Sequence, residues 1–535
     1  FWLAYFKDFA LFTLGASAFG TGLIGGIFAL LFYLPYSQNS SKNILKKYSL
    51  YKVFYENNAF RPLYFALVWT SYEWFKSTGF LGYPWGTISS AMYKFKVLTQ
   101  IADLTGTYGI TFLTVYTSAF IAEYFLSNEN LYIEFYELRY SKNTNTSEYI
   151  KSFQTSLCFI LVSFTLVFIY GSYQLNKIRP VKKSLTAILV QQNSDPWKMK
   201  NDYDAILVSQ KLTEEKLDEL YRQNKKCNLI VWSEGCLKRA FPNAIAHYMT
   251  EPSEAPLIPF IAENHTPIIC GGIYAKNSEK MQYMNVAHLF DGNGHYRGFY
   301  AKNHLVPFAE VIPFTEIPFV GKILKKIVGI SAGYFPGDQY VTFEVPCTQV
   351  SDKTPSAYKN IDISKAYTKE DSKLSTVKFS VPICFDDAFT DIMRPLYKGG
   401  SEVFINISDD SWSLKKSSEI QHFVIASYRA IEYRTTLVRS TNAGYSAVVT
   451  PSGQIIADQS LFEESALAVD IPIYEHKETL YSLLGNYFPY SILFFIALYC
   501  IFLHNDIILD DIIPSERKIH KSKKSKKSKK HKKKF

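Results

Sequence analysis

Phe379-Ser-Val-Pro-Ile-Cys384-Phe-Asp-Asp-Ala-Phe389 is a short apolar run that ends abruptly in a cysteine followed by two carboxylates. It reads as strand, then nucleophile, then turn. A cysteine at the C-terminal end of a strand lifts its sulfur out of the core while nearby backbone N–H groups face a reacting carbonyl, the arrangement covalent catalysis needs. A buried structural cysteine fits the same pattern, since free cysteine is among the most buried residue types.

A thiol that acts as a nucleophile needs a proton acceptor and a positive charge nearby, and two upstream stretches offer them. Leu229-Ile-Val-Trp-Ser-Glu234 is an apolar run ending in a carboxylate. Phe299-Tyr-Ala-Lys302-Asn-His-Leu-Val-Pro-Phe-Ala-Glu310 adds a lysine and a second carboxylate. Glutamate, lysine and cysteine in this order resemble the carbon–nitrogen hydrolase (nitrilase) superfamily, whose Glu-Lys-Cys triad lies at strand ends of an α-β-β-α sandwich. Lys302-Asn-His-Leu-Val-Pro-Phe-Ala-Glu310, followed by Ile312-Pro313-Phe314, is similar to the signature of the membrane-bound apolipoprotein N-acyltransferases. The fold this implies is a multi-span α-helical membrane domain plus an α/β nitrilase-like sandwich.

Charge and cysteine usage exclude other classes. The formal charge of +10 suggests a nucleic-acid binder until it is located. Arg517–Phe535 holds 12 of the 58 basic residues, which leaves 46 against 48 acidic ones. The body is therefore near neutral and no nucleic-acid partner is expected. The tail is low-complexity and self-repelling, so it is expected to be disordered. The seven cysteines (158, 227, 236, 270, 347, 384 and 500) show no CxxC and no zinc spacing, so neither a metal site nor a disulfide framework follows. A single extracytoplasmic pair stays open. No cofactor is called for.

Phe9–Gln38 has no charged residue and carries Gly22-Leu-Ile-Gly-Gly26, small residues at close-packing spacing for membrane helices. About 20 apolar residues suffice to span a bilayer. Pro62–Leu81, interrupted by Glu73 and Lys76, is a second span; Leu104–Ala122, Ser152–Asn176 and Thr479–His504 complete five. The lysines and arginines at 42–61 and in the tail belong on the cytoplasmic side. The expected organisation is a membrane domain at 1–177, an extracytoplasmic catalytic domain at 178–478, a last membrane helix at 479–505 and a cytoplasmic tail at 506–535. The chain opens at Phe1, and its likeness to the eight-span family begins near the end of the third span, so a truncated N-terminus is expected. Thr78-Gly-Phe-Leu-Gly-Tyr-Pro-Trp85-Gly also resembles the family; Trp85 reads either as part of a lipid-handling loop or as an interfacial aromatic anchor.

Strands are expected at Leu185–Asn193, Leu229–Ser233, Pro267–Ala275, Asn285–Phe290, Lys378–Ile383 and Glu402–Ser408, with a helix over Ser417–Glu432. Asp291-Gly-Asn-Gly294 and Pro451-Ser-Gly453 mark hairpin turns. The polar stretch 348–376 has no core pattern and reads as a loop insertion. Asn406-Ile-Ser-Asp-Asp-Ser-Trp412 and Arg439-Ser-Thr-Asn-Ala-Gly-Tyr445, with His422 and Arg429 between them, resemble the family too. Two departures stand out: Ser408-Asp409-Asp410 where the family has Ser-Asn-Asp, and Phe385-Asp386 where Tyr-Glu is common.

The chemistry these residues imply is two-step acyl transfer. Glu234 takes the proton of Cys384, and the thiolate attacks a phospholipid ester to give a thioester. Lys302 lowers the thiol pKa and, with a backbone N–H after Cys384, holds the oxyanion. Glu310 and Asp386 support them. Trp197, Phe385, Trp412 and Trp85 are candidates to line the acyl cleft, or to pack in the core. The resemblance supplies the acceptor: the α-amino group of the S-diacylglyceryl cysteine of an apolipoprotein, at the inner membrane of a bacterium, the enzyme acting as a monomer. Two other classes compete, a membrane-tethered amidase and an inactive lipid-binding scaffold. A Cys-His protease fails because His304 sits two residues from Lys302 and no other histidine adjoins a strand-end motif.

Overall fold

The computed structural model describes residues 10–33, 60–126, 146–195, 198, 201–311, 319, 333–350 and 374–501. Trp197, Ile312-Pro313-Phe314, residues 351–373 and the lysine-rich tail lie outside the described residues. The chain divides into two compact units. One comprises Phe1–Thr21, Lys76–Thr107 and Val167–Gly485, the other Gly22–Phe75, Tyr108–Leu166 and Asn486–Phe535. Residues 76–107 thus group with the catalytic part and not, as a boundary at 177 would have it, with the membrane part.

The larger unit is built on twelve strands: β1 Val181–Gln191, β2 Leu229–Trp232, β3 Ile268–Asn277, β4 Gln282–Phe290, β5 Tyr296–Ala301, β6 Phe343–Gln349, β7 Leu374–Ser380, β8 Val403–Ser408, β9 Thr436–Thr441, β10 Ala447–Val449, β11 Ile455–Asp458 and β12 Ser465–Tyr474. They run in the order β11-β10-β9-β8-β7-β6-β1-β2-β3-β4-β5, with β12 antiparallel on β1. β1 and β6 pair only through Lys183–Gln349 and Ser184–Thr348, so this path is two sheets joined at one corner. Ser440 on β9 donates to the Val231 carbonyl on β2 at 3.0 Å, which places the sheets face to face. The middle strands β2, β8 and β9 are fully buried, and β1 is buried over its C-terminal half, because both of their faces are covered.

Helices close the outer faces. Tyr203–Arg222 and Leu257–Asn264 bury Ile206, Leu220, Leu257 and Ile261 against Ile188, Ile230 and Trp232. On the other sheet, Tyr397 of the helix Thr390–Lys398 and Tyr433 of the helix Lys416–Tyr433 pack their rings against Phe404. The layers are α-β-β-α, as the sequence implied.

The insertion is shorter than expected. Thr348 and Gln349 belong to β6 and Leu374–Thr376 to β7, an antiparallel pair running from Phe343–Phe379 to Thr348–Leu374. Phe343, Val345 and Cys347 are buried while Glu344 and Pro346 are exposed. That alternation is a half-buried strand, and polar composition hid it.

The helices of the second unit include Phe60–Lys76 and Thr107–Leu126. Phe28, Tyr64, Val68, Ile492 and Ile496 share its core, while Leu23, Leu30, Leu161 and Phe494 face outward. Among the described residues one helix, Phe153–Asn176, is long and apolar enough to cross a membrane. Ser17–Phe32 and Tyr487–Ile501 are apolar but shorter. The expected last span is interrupted: Leu480–Leu484 ends at Gly485, whose φ of +61° breaks the helix.

Within the larger unit, Arg434 ties Gln100 and Asp103 to the end of the helix Lys416–Tyr433. It caps the helix Lys416–Tyr433 in a left-handed conformation, and its guanidinium reaches Asp103 Oδ2 at 2.8 Å, Gln100 Oε1 at 2.6 Å and the Pro451 carbonyl at 3.0 Å. Arg434→Ala leaves the Asp103 carboxylate buried without its cation, an expected loss of about 3–5 kcal/mol. Thermal unfolding in detergent measures it; an unchanged midpoint refutes the tie.

Candidate active site

β2 is only four residues long and fully buried, so Ser233 and Glu234 emerge at its C-terminal end already inside the domain. β5 ends at Ala301, and Lys302 follows, its side chain 1% exposed. A buried ammonium is tolerated only when paired. Lys302 Nζ lies 3.3 Å from Glu234 Oε1 and 2.9 Å from Glu310. Asn285 on β4 bridges the two carboxylates, donating to Glu234 at 2.7 Å and to Glu310 at 3.0 Å. The Val306 N–H donates to Glu310 at 2.8 Å, and the Asp409 N–H to Glu234 Oε2 at 2.8 Å.

Cys384 opens a tight turn, Cys384–Ala388, after β7 has ended and Ile383 has made a lone bridge to Ile407. Its φ of +47° is left-handed, a conformation that costs a non-glycine residue of order 1–3 kcal/mol and clusters at active sites. Asp386 holds that turn in place. Its carboxylate accepts from the Ile383 N–H at 3.1 Å, the Tyr300 hydroxyl at 3.0 Å and the His304 N–H at 2.8 Å. The nucleophile turn is thereby tied to the segment that carries Lys302. Burial pushes the Asp386 carboxyl up to about 7.

Cys384, Glu234, Lys302 and Glu310 line one cavity of about 580 Å³, with Trp85, Phe385 and Trp412 in its wall. The Trp85 ring stacks on Phe385, centroids 5.2 Å apart. Gly82, in the same loop, lies so close to Phe389 that a Cβ there would sit 2.8 Å from its ring. Cys236, the other cysteine near Glu234 in sequence, packs instead in the apolar core against Trp232 and Cys270, and burial pushes its thiol up to about 12.

The electrostatics amend one expectation. Burial and then the Glu234 charge raise the Cys384 thiol well above its ordinary value, and Lys302, which does pull it down, does not outweigh them. Cys384 therefore rests as a thiol, whose proton would have to leave before the sulfur could act as a nucleophile. Burial likewise raises Glu234, against the opposing pull of Lys302, so the carboxylate is a stronger base than an exposed glutamate.

His422 and the stretches holding Asp410 and Arg439, read from sequence only as family-like, meet Asp387 in a second charged cluster. His422 Nδ1 lies 2.7 Å from Asp410 and Nε2 3.0 Å from Asp387, and Arg439, fully buried, pairs with both carboxylates. Cys384, Asp410 and His422 approach within 4.8 Å, but both imidazole nitrogens already face carboxylates, which makes this an ion-pair cluster and not a metal-binding trio. The available signal was Arg439, a charged residue inside a strand-like run.

Comparison with known proteins assigns the fold and site to a class. The family profile described as carbon–nitrogen hydrolase matches residues 189–479, which includes every residue of the charged centre. The profile of the apolipoprotein N-acyltransferase N-terminal domain matches residues 1–120. "Apolipoprotein N-acyltransferase 2" of Treponema denticola is 37% identical over 506 residues, 94% of this chain and 85% of that protein. The protein of the same name from Treponema pallidum is 32% identical, over 90% and 79%. Among solved structures, a carbon–nitrogen hydrolase from Helicobacter pylori aligns at 17% identity and a TM-score of 0.35, over 54% of this chain and 90% of that one. The chain is a carbon–nitrogen hydrolase superfamily member and, within it, belongs to the apolipoprotein N-acyltransferase family.

The cluster makes stability depend on pH. Burial works against the His422 charge, but Asp410 and Asp387 prevail and lift its pKa from 6.5 to about 9. Because the folded value is the higher, this contribution is complete below about pH 6.5 and is lost as the pH rises through about 9, of order 3 kcal/mol. The unfolding midpoint of the wild type is expected to fall over that window more steeply than that of His422→Gln. Parallel curves contradict the assignment.

Proposed function

We propose that this chain transfers a fatty acyl group from a phospholipid, through a thioester on Cys384, to the α-amino group of the S-diacylglyceryl cysteine that begins an apolipoprotein. The observation that carries the reading is one buried lysine bridging two glutamates in the cavity wall that also holds a cysteine on a left-handed turn. Family membership supplies the acceptor class.

In the first half, Glu234 Oε2 or Oε1 takes the thiol proton as sulfur attacks the ester carbonyl. Lys302 and a backbone N–H following Cys384 hold the oxyanion; a donor of this kind is worth about 3–4 kcal/mol. The proton passes to the departing glycerol oxygen, releasing a lysophospholipid. Glu310 keeps Lys302 aimed. Asp386 keeps the two turns in register. Phe385, Trp412 and Trp85 offer the acyl chain an apolar wall, and Trp197 belongs to the same proposal.

The catalytic domain acts at the outer face of the bacterial inner membrane, with apolar helices such as Ser17–Phe32, Phe153–Asn176 and Tyr487–Ile501 within the bilayer. Their outward-facing Leu23, Leu30, Leu161 and Phe494 support contact with lipid, and the lysine-rich composition of the C-terminal stretch favours the cytoplasmic side for it. A monomer suffices for the chemistry.

The test is transfer of a labelled acyl chain from phospholipid to a diacylglyceryl-cysteinyl peptide by the purified full chain. Cys384→Ala is expected to reduce transfer at least a hundredfold and Cys236→Ala less than threefold, about the range covalent catalysis and a distant core change occupy. Glu310→Ala is expected to slow overall transfer while acyl-enzyme still accumulates on phospholipid alone. Substantial turnover by Cys384→Ala sinks the reading.

A further inference from the structure

The cavity has four carboxylates in its wall, and three of them have a cation of the fold within ion-pair distance. Glu234 and Glu310 share Lys302, and Asp410 is paired with His422 and Arg439. Asp409 is the exception. Its Oδ1 accepts from the Ser411 N–H at 3.0 Å, the Ser411 hydroxyl at 2.5 Å and the Asn442 side-chain amide at 3.0 Å. All three donors are neutral and all reach the same oxygen. Among the described residues no cation pairs with Asp409 and no donor reaches Oδ2.

Asp409 is also fixed in relation to the reacting groups. Its own N–H donates to Glu234 Oε2 at 2.8 Å, its carboxyl feels the Glu234 charge, and it lines the wall that also holds Cys384. Asn442, which pins Oδ1, is itself anchored on both sides of Ser194, donating to its carbonyl at 2.7 Å and accepting from its N–H at 2.8 Å. The carboxylate cannot easily rotate away. A partly desolvated anion without a counter-ion is costly, and a cationic ligand relieves that cost.

We propose that in this chain, which carries aspartate where the family has asparagine, Asp409 Oδ2 is an added docking point for the ammonium form of the acceptor amine and favours a cationic amine over water in the second half of the reaction. The proposal rests on the acyl-transfer reading above. An α-amino group with an ordinary pKa near 8 is mostly protonated at neutral pH, so it arrives as R–NH3+ and cannot attack until one proton leaves. Asp409 receives that proton. The free amine attacks the thioester carbonyl, the C–N bond forms, and the C–S bond breaks as the tetrahedral intermediate collapses. The second nitrogen proton passes through Glu234 to the Cys384 sulfur, and Asp409 returns its own to solvent. The products are the amide and the resting thiol, with every proton accounted for. Burial, with the Glu234 charge adding to it, raises the Asp409 carboxyl to about 6; it is thus ionised at neutral pH yet nearer in basicity to the amine than an exposed aspartate.

The discriminating variant is Asp409→Asn, which keeps the shape and leaves an oxygen for the three donors at Oδ1. The full chain is first loaded with a labelled acyl group from phospholipid, and thioester formation is read by mass. It is then discharged with either a diacylglyceryl-cysteinyl peptide, whose amine is cationic, or hydroxylamine, which is neutral at neutral pH. Loading is expected to match the wild type. Discharge by the peptide is expected to lose about tenfold or more in kcat/KM, the usual scale for a charge-assisted contact, and discharge by hydroxylamine less than twofold. Equal slowing of both nucleophiles, unchanged discharge by the peptide, or loss of loading in Asp409→Asn overturns the proposal. Failure of the wild type to load at all would instead bring down the acyl-transfer reading, so the two failures are told apart.

Discussion

The charge on Lys302 constrains everything around it. An ammonium with a 1% exposed side chain cannot persist without anions, and the anions come from two separate segments, Glu234 after β2 and Glu310 from the loop after β5. Asn285 on β4 ties these carboxylates together from the neighbouring strand. Three strand-linked segments are therefore fixed by one electrostatic requirement, and the same requirement aims the base and the cation at one cavity wall. Burial that would destabilise each group alone is what strengthens their mutual interaction and raises the basicity of Glu234.

The candidate nucleophile is positioned by a different device. Cys384 sits on a strained turn that Asp386 and Asn406 restrain, Asn406 donating to the Pro382 carbonyl at 3.1 Å and the Cys384 carbonyl at 3.3 Å. Asp387, one residue on, enters the His422–Asp410–Arg439 cluster. Each residue after the cysteine thus has its own anchor: Phe385 against Trp85, Asp386 toward the Lys302 segment, Asp387 toward the helix Lys416–Tyr433. Misplacing one anchor shifts the sulfur, and small shifts in attack geometry are expensive in rate.

The parts of the fold that were legible in the sequence are those whose local signal agrees with their tertiary role. The apolar run before Glu234, the Asp291–Gly294 turn and the 416–433 helix have unambiguous periods or turn residues. β9 was harder, because Arg439, Ser440 and Thr441 are polar yet buried, each compensated by partners distant in sequence. β6 was obscured by the polar composition of its C-terminal end and β12 by Asp470 and Pro472, which interrupt its apolar run. The charged centre was legible only as three separate strand ends; that Asn285 and Asp409 join it depends on β4 and β8 lying beside β5 and β7. The depression of the thiol pKa by Lys302 was expected from sequence, but burial, which sequence does not show, reverses the net direction.

The central claim is that Glu234, Lys302 and Cys384 act as one acyl-accepting unit. The most direct measurement is mass mapping of the peptide containing Cys384 after the full chain is incubated with phospholipid and no acceptor. The account predicts an added fatty acyl mass on Cys384 in the wild type, absent in Lys302→Ala and in Glu234→Gln. An adduct on another residue, or an undiminished Cys384 adduct in either variant, would contradict it.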